Sequence, residues 1–81
     1  MPDIPHLSAS VAADTCYGLR EIACELFGDD SRRNQRRTER LIYEVPEHQR
    51  IETFLWAGVR CARRSRLRRH VAALAGEEVA P

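Results

Sequence analysis

The chain has 81 residues and a formal net charge of +1, which places it near the lower size limit for a domain with one hydrophobic core. No stretch approaches the ~20 apolar residues of a membrane span, and no basic segment precedes an apolar one at the N-terminus, so we expect a cytoplasmic protein. The cysteines and histidines show no ligand spacing, which predicts reduced core thiols at Cys16, Cys24 and Cys61, and no metal or other cofactor.

The charge is distributed very unevenly along the chain. All thirteen basic residues are arginine, and twelve of them lie between positions 31 and 69 against four glutamates, a net charge of +8. The first thirty residues carry −5 and the last twelve −2. Because the guanidinium presents a planar fork of donors that fits phosphate oxygens and the guanine edge, this clustering predicts nucleic-acid binding. A GC-rich genome would explain the missing lysine but not the clustering.

The N-terminal half predicts an arm and two helices. Residues 1–13 contain two prolines and no sustained period, so we expect a flexible N-terminal arm. Apolar residues at i, i+3, i+4 and i+7 then predict a helix that ends before Gly28. These residues are Leu19, Ile22, Ala23 and Leu26. The polar turn Gly28-Asp29-Asp30 leads to a second helix from about Arg32 to Tyr43, which Pro46 terminates.

The C-terminal half predicts a β-hairpin and a last helix. Residues 51–56 are rich in β-branched and aromatic side chains, Ala57-Gly58 suits a tight turn, and residues 59–62 form the returning strand. The last helix begins near Arg64 or Ser65 and ends at Gly76, so residues 14–76 form one domain and residues 77–81 a tail. The predicted core residues are Tyr17, Ile22, Leu26, Phe27, Leu41, Ile42, Phe54, Leu67 and Val71.

This order of elements predicts an α+β, mostly α fold, a winged helix-turn-helix with three helices and a two-stranded β-hairpin wing. The second helix of such a motif lies in the major groove and presents its N-terminal residues to base edges, where Arg suits guanine and Asn or Gln suits adenine. Positive side chains at the start of the last helix interact unfavourably with the helix dipole. We therefore expect a bound phosphate there to compensate their charge. The candidate DNA-binding residues are Ser31, Arg32, Arg33, Asn34, Gln35, Arg36, Arg37, Arg40, Arg60, Arg63 and Arg64.

A family resemblance supports this interpretation. The tract R-I-E-T-F-L-W-A-G-V-R-C-A-R-R-S-R-L, residues 50–67, resembles the wing and following helix of small excisionase-like, MerR-type winged helix-turn-helix proteins. Residues 19–23 are similar to the opening helix of that family, and residues 40–42 to the end of its recognition helix. The chain departs from the family pattern at Glu52, Leu55, Ala57 and Val59. These changes remove positive charge from the wing and leave Arg60, Arg63 and Arg64 as its phosphate contacts.

The resemblance implies sequence-specific binding of double-stranded DNA without catalysis. Members of the family act as excisionases, which are recombination directionality factors, or as small transcription regulators of phages and mobile elements. An integrase or recombinase, or RNA polymerase, is then the expected protein partner. The long dimerisation helix of full MerR regulators is missing, so we expect a monomer that associates side by side on DNA. The two roles stay open, as does whether Trp56 belongs to the core or contacts DNA.

Three other classes of function were weighed against DNA binding. A small protein-interaction module, such as a phage-encoded inhibitor of a host nuclease or polymerase, is the main alternative. RNA binding is disfavoured because the sequence shows no aromatic stacking platform. An enzyme is disfavoured because the sequence shows no paired nucleophile and base and no Gly-rich phosphate loop.

Overall fold

The computed structural model describes residues 9–76, which form four α-helices and a three-stranded antiparallel sheet. In chain order the elements are α1 (Ala9–Ala13), β1 (Thr15–Tyr17), α2 (Gly18–Phe27), α3 (Arg32–Tyr43), a 3-10 turn (Glu47–Gln49), β2 (Phe54–Trp56), β3 (Val59–Arg63) and α4 (Arg64–Leu74). The predicted class, α+β with mostly helix, is therefore confirmed. None of the helices in this part of the chain is long and apolar enough to cross a bilayer.

Helices α2 and α3 are joined by the predicted short polar turn. Gly28 follows α2 with a φ of 91°, a left-handed conformation that suits glycine, and its N–H donates to the carbonyl of Cys24. Ser31 caps α3, because its hydroxyl accepts from the backbone N–H of Asn34 at 3.3 Å. The end of α2 before Gly28 and the start of α3 at Arg32 are therefore as the sequence predicts.

The prediction of a two-stranded hairpin is wrong in the number of strands, because the sheet has three. Strands β2 and β3 do pair through the turn at Ala57 and Gly58, whose φ values of 50° and 81° fit a two-residue hairpin turn. However, β1 pairs with the other edge of β3, with Thr15 opposite Arg63 and Tyr17 opposite Cys61. An isolated two-stranded hairpin is only marginally stable. Strand β1 stabilises this one because it pairs with the backbone groups on the free edge of β3.

The last five residues of the predicted N-terminal arm are helical. Residues Ala9–Ala13 form helix α1, whose alanine-rich sequence favours helix. The hydroxyl of Thr15 donates to the carbonyl of Val11, which ties α1 to the first strand. The rest of the predicted arm, residues 1–8, and the predicted tail, residues 77–81, lie outside the described residues.

The core lies between one face of the sheet and helices α2, α3 and α4. Its buried members are Cys16, Ile22, Ile42, Ile51, Ala62 and Leu67. Leu19, Leu26 and Leu41 are partly buried against this cluster. The core positions predicted for Ile22, Ile42 and Leu67 are thus confirmed. Ile51 was expected in a strand, but it is a buried loop residue whose N–H donates to the carbonyl of Leu41 at 3.1 Å.

Several predicted core residues are more exposed than expected. Val71 is 46% exposed, Phe27 is 37% exposed and Tyr17 is 36% exposed, while Phe54 is half-buried. Of the three cysteines predicted as core thiols, Cys24 is exposed on α2. A domain this small has too little interior for every large apolar side chain, so those at the ends and edges of its elements stay in contact with solvent.

Candidate nucleic-acid interface

Helix α3 has one buried face and one strongly basic face. Asn34, Thr38 and Ile42 recur every four residues and are buried. The basic side, called the arginine face below, consists of Arg32, Arg33, Arg36, Arg37 and Arg40. All five of these side chains are exposed, and together they line one surface groove. Because residues four apart stack on a helix, the arginine face has one row at positions 32, 36 and 40 and a second row at positions 33 and 37.

The five guanidinium groups of the arginine face are exposed charges. Among residues 9–76, none of its five side chains forms an ion pair. Arg37 has only neutral partners: its Nη1 donates to Asn34 Oδ1 at 3.4 Å, and its guanidinium carbon lies 5.9 Å from the centroid of the Phe27 ring. Like charges four residues apart destabilise a helix, so an external anion that binds all of them would relieve this repulsion.

Arg60 extends the arginine face toward the sheet. Its guanidinium carbon lies 5.9 Å from the centroid of the Tyr43 ring, and its Nη1 donates to Thr53 Oγ1 at 3.2 Å. The Nε atom is buried and has no hydrogen-bond partner within the described part of the chain. Tyr43, the last residue of α3, is 56% exposed and follows Arg40 by three residues, so its ring lies between Arg40 and Arg60. Tyr43 was not predicted as a site residue, although its spacing from Arg40 was available in the sequence.

Arg63 and Arg64, which were predicted to bind phosphate, are paired within the chain. Arg63 Nε lies 3.0 Å from Asp14 Oδ2, and Arg64 Nε lies 3.2 Å from Glu25 Oε1. Arg64 also donates to the backbone carbonyls of the last residue of α1, Ala13, and the first residue of β1, Thr15. The negative charge that the start of α4 requires is therefore supplied by Asp14 and Glu25. Both arginines therefore have a carboxylate partner within the fold, and their binding of phosphate stays a prediction.

The polar residues that were predicted to contact bases are also engaged within the chain. Asn34 Nδ2 donates to Asp29 Oδ1 at 2.7 Å, and the Asn34 side chain is buried. Gln35 Nε2 donates to the backbone carbonyl of Asp30 at 2.8 Å, and the Ser31 hydroxyl caps the helix. These three residues hold α3 against the preceding turn. These bonds engage the polar groups that were assigned to base contacts, and the assignment itself stays a prediction.

Asp29 and Asp14 accept hydrogen bonds at the N-terminal ends of α3 and α4. Asp29 accepts from the backbone N–H of Ser31 at 2.9 Å, and this bond holds the pKa of Asp29 below its ordinary value of 3.8. Asp14 accepts from the hydroxyl of Ser65 at 2.6 Å and from its backbone N–H at 3.0 Å, and the hydroxyl bond lowers the pKa of Asp14 in the same way. Both groups are therefore charged at neutral pH, and Asp29 disfavours a phosphate at the N-terminus of α3.

The sheet face opposite the core carries a row of aromatic side chains. The strand register places Tyr17 and Phe54 on either side of Cys61, and Trp56 opposite Val59 on the same face. The sequence did not predict this row, because β1 was not predicted. Arg63, the arginine on this face, is neutralised by Asp14. Within residues 9–76 the row therefore lacks the unpaired cation that a binding surface for single-stranded nucleic acid requires.

Comparisons with protein-family models, with curated proteins and with solved structures found no match to this chain. In the described part of the chain, no cluster of His, Cys, Asp and Glu side chains is placed to hold a metal ion. The chemistry that the site offers is therefore that of the arginine face together with Tyr43 and Arg60. Such a surface can bind a polyanion.

Proposed function

We propose that this chain is a sequence-specific, non-catalytic protein that binds double-stranded DNA, with the arginine face of α3 in the major groove. One observation carries the proposal: the five arginines of α3 are exposed and form no ion pair within residues 9–76, whereas four of the six arginines of β3 and α4 each pair with a carboxylate. The ion pairs stabilise the fold, which is reason enough for the arginines that form them. The fold gives no such reason for the five arginines of α3. The major groove admits an α-helix, and guanidinium groups fit both phosphates and the guanine edge.

In this proposal α2, the turn and α3 act as a helix-turn-helix, and the sheet acts as the wing. Arg60 lies where the wing meets α3, so we assign it to a phosphate beside the groove. A cytoplasmic protein of this kind, acting as an excisionase or small transcription regulator of a phage or mobile element, works by occupying or bending DNA. It would act beside an integrase or RNA polymerase, and further copies would bind alongside on repeated sites.

The proposal is tested by the salt dependence of binding to a random duplex, measured by fluorescence anisotropy. If the arginine face and Arg60 make six phosphate contacts, affinity should fall ~10³-fold between 50 and 200 mM salt. Replacing Arg32, Arg36 and Arg40 together by Gln should flatten this dependence. Arg66→Gln is the matched control, because Arg66 is exposed but ion-paired with Glu52 at 2.8 Å. A flat salt response of the wild-type chain would refute the proposal.

A second candidate function is a protein-interaction module, and one observation favours it. Phe27, Leu41 and Val45 form an apolar notch that Arg37 and Arg40 border. This combination suits an acidic protein with an apolar anchor, such as a host nuclease or polymerase. Phe27→Ala separates the two functions, because it removes an apolar wall of the notch and keeps all five arginines, although Arg37 loses its contact with the ring. Unchanged DNA affinity in this variant supports DNA binding through the arginine face.

A further inference from the structure

Glu39 is a carboxylate at the edge of the arginine face. It is exposed, follows Arg36 by three residues, and lines the same surface groove as Arg36, Arg40 and Tyr43. Arg36 lies one helical turn before it and Arg40 is the next residue, yet Glu39 forms no ion pair with any residue in the range 9–76. A negative charge at this position weakens the positive potential that attracts phosphates. A surface that bound only the DNA backbone would gain nothing from it.

Glu39 supplies an acceptor that the arginines cannot supply. Guanidinium groups only donate, so they can bind guanine O6 and N7 but cannot accept from an amino group. The amides of Asn34 and Gln35 could have accepted, but both are held by the turn before α3. In the major groove the amino groups are N4 of cytosine and N6 of adenine. Adenine also presents the acceptor N7, which repels a carboxylate, so cytosine is the base that suits Glu39.

We infer that Glu39 determines specificity by accepting a hydrogen bond from cytosine N4, beside a guanine that Arg36 binds. Three residues span about 4.5 Å along a helix axis, close to one base-pair step of about 3.4 Å, so the two side chains reach neighbouring base pairs. The preferred duplex then contains adjacent G·C pairs in the half-site under α3. This inference rests on the proposed function, and it names the bases that the arginine face selects.

The test is selection of bound duplexes from a randomised library, followed by affinity measurements on the selected site. Wild-type protein is compared with Glu39→Gln, Glu39→Ala and the control Glu47→Gln, which removes an exposed charge from the 3-10 turn outside α3. Glu39→Gln should shift one position from cytosine to adenine, because an amide both donates and accepts. Glu39→Ala should lower discrimination there roughly fivefold or more. Both should bind random duplex more tightly, and the control should keep the base preference.

The outcomes separate this inference from the proposed function. If wild-type protein selects a site and both Glu39 variants select the same bases, the role of Glu39 is overturned and the proposed function stands. If the wild-type chain is folded by circular dichroism but binds no duplex at 50 mM salt, the proposed function itself is overturned. A loss of cytosine preference that also occurs in Glu47→Gln overturns the inference, because a general charge effect would then explain it.

Discussion

Asn34 and Asp29 are joined by a hydrogen bond of 2.7 Å from the amide Nδ2 to the carboxylate Oδ1. The same carboxylate oxygen accepts from the backbone N–H of Ser31 at 2.9 Å. Asp29 therefore connects the loop after α2 with the N-cap residue Ser31 and with the start of α3. The pair fixes the direction in which α3 leaves the turn. It also takes the amide away from the exposed side of α3, where the five arginines and Glu39 lie.

Asn34→Ala should therefore destabilise the fold rather than alter base choice. We expect a loss of about 1–2 kcal/mol in the free energy of unfolding, because Asp29 loses a partner and the helix start loses its link to the turn. Urea denaturation followed by circular dichroism measures this loss. Arg33→Ala is the control, since it should weaken DNA binding at nearly unchanged stability. A changed base preference with full stability in Asn34→Ala would show that the amide contacts DNA.

Arg36→Ala should weaken binding to the preferred duplex by about 1–3 kcal/mol and relax the choice of guanine at one position. The comparison variant is Arg68→Ala, because Arg68 is as basic but already pairs with Glu25 at 3.0 Å. Its effect on affinity should be small. Anisotropy titrations of both variants on the same duplex check the difference. Equal losses would mean that ion pairing does not separate DNA-binding arginines from structural ones.

Acid should destabilise the protein through its capping aspartates. The pKa values of Asp14 and Asp29 are lowered from 3.8 in the folded chain, so the unfolded chain binds protons more readily. The stabilisation they provide is complete above the unfolded value and is lost as the pH falls through the lower folded values. Urea midpoints should therefore drop below about pH 4. Asp14→Asn should be less stable at pH 7 and less acid-sensitive, and an unchanged acid response would contradict this assignment.

DNA bending distinguishes the two biological roles. An excisionase bends its site, and bending 20–30 base pairs costs roughly 1–6 kcal/mol, which requires contacts on both groove and backbone. The arginine face and Arg60 offer such contacts from two adjoining elements. Circularly permuted duplexes carrying the selected site should then migrate with position-dependent mobility in a gel. Uniform mobility would favour a transcription regulator that acts by occupancy.

The helices were predictable because their boundaries depend on local chemistry. Gly28 ends α2, Ser31 caps α3 and Pro46 lies just beyond it, and each acts within a few residues of its own position. Strand β1 was not predictable in this way. Its residues, Thr15–Tyr17, are too few to show an alternating pattern, and the strand exists because the β3 edge is available to pair with it.

The sequence predicted which residue types make up the candidate site, but not which of those side chains are paired within the fold. The clustering of arginines on α3 follows directly from the sequence and its helical spacing. The pairing of Arg63 with Asp14 and of Arg64 with Glu25 connects residues far apart in the chain, so no local pattern reveals it. The engagement of Asn34 by Asp29 depends on the shape of the turn, which the sequence did not specify. Interpretation of charge alone therefore could not separate exposed arginines without an ion pair from arginines that are paired within the fold.

The uneven burial of the three thiols gives a means of following the molecule in solution. Cys16 and Cys61 are fully buried, and burial raises the pKa of both thiols, whereas Cys24 is exposed on α2. Thiol reagents react with accessible thiolates, so a maleimide dye should label the native chain at Cys24 without any substitution. The dye would lie outside the arginine face, and energy transfer to a labelled duplex would then report the orientation of the bound protein.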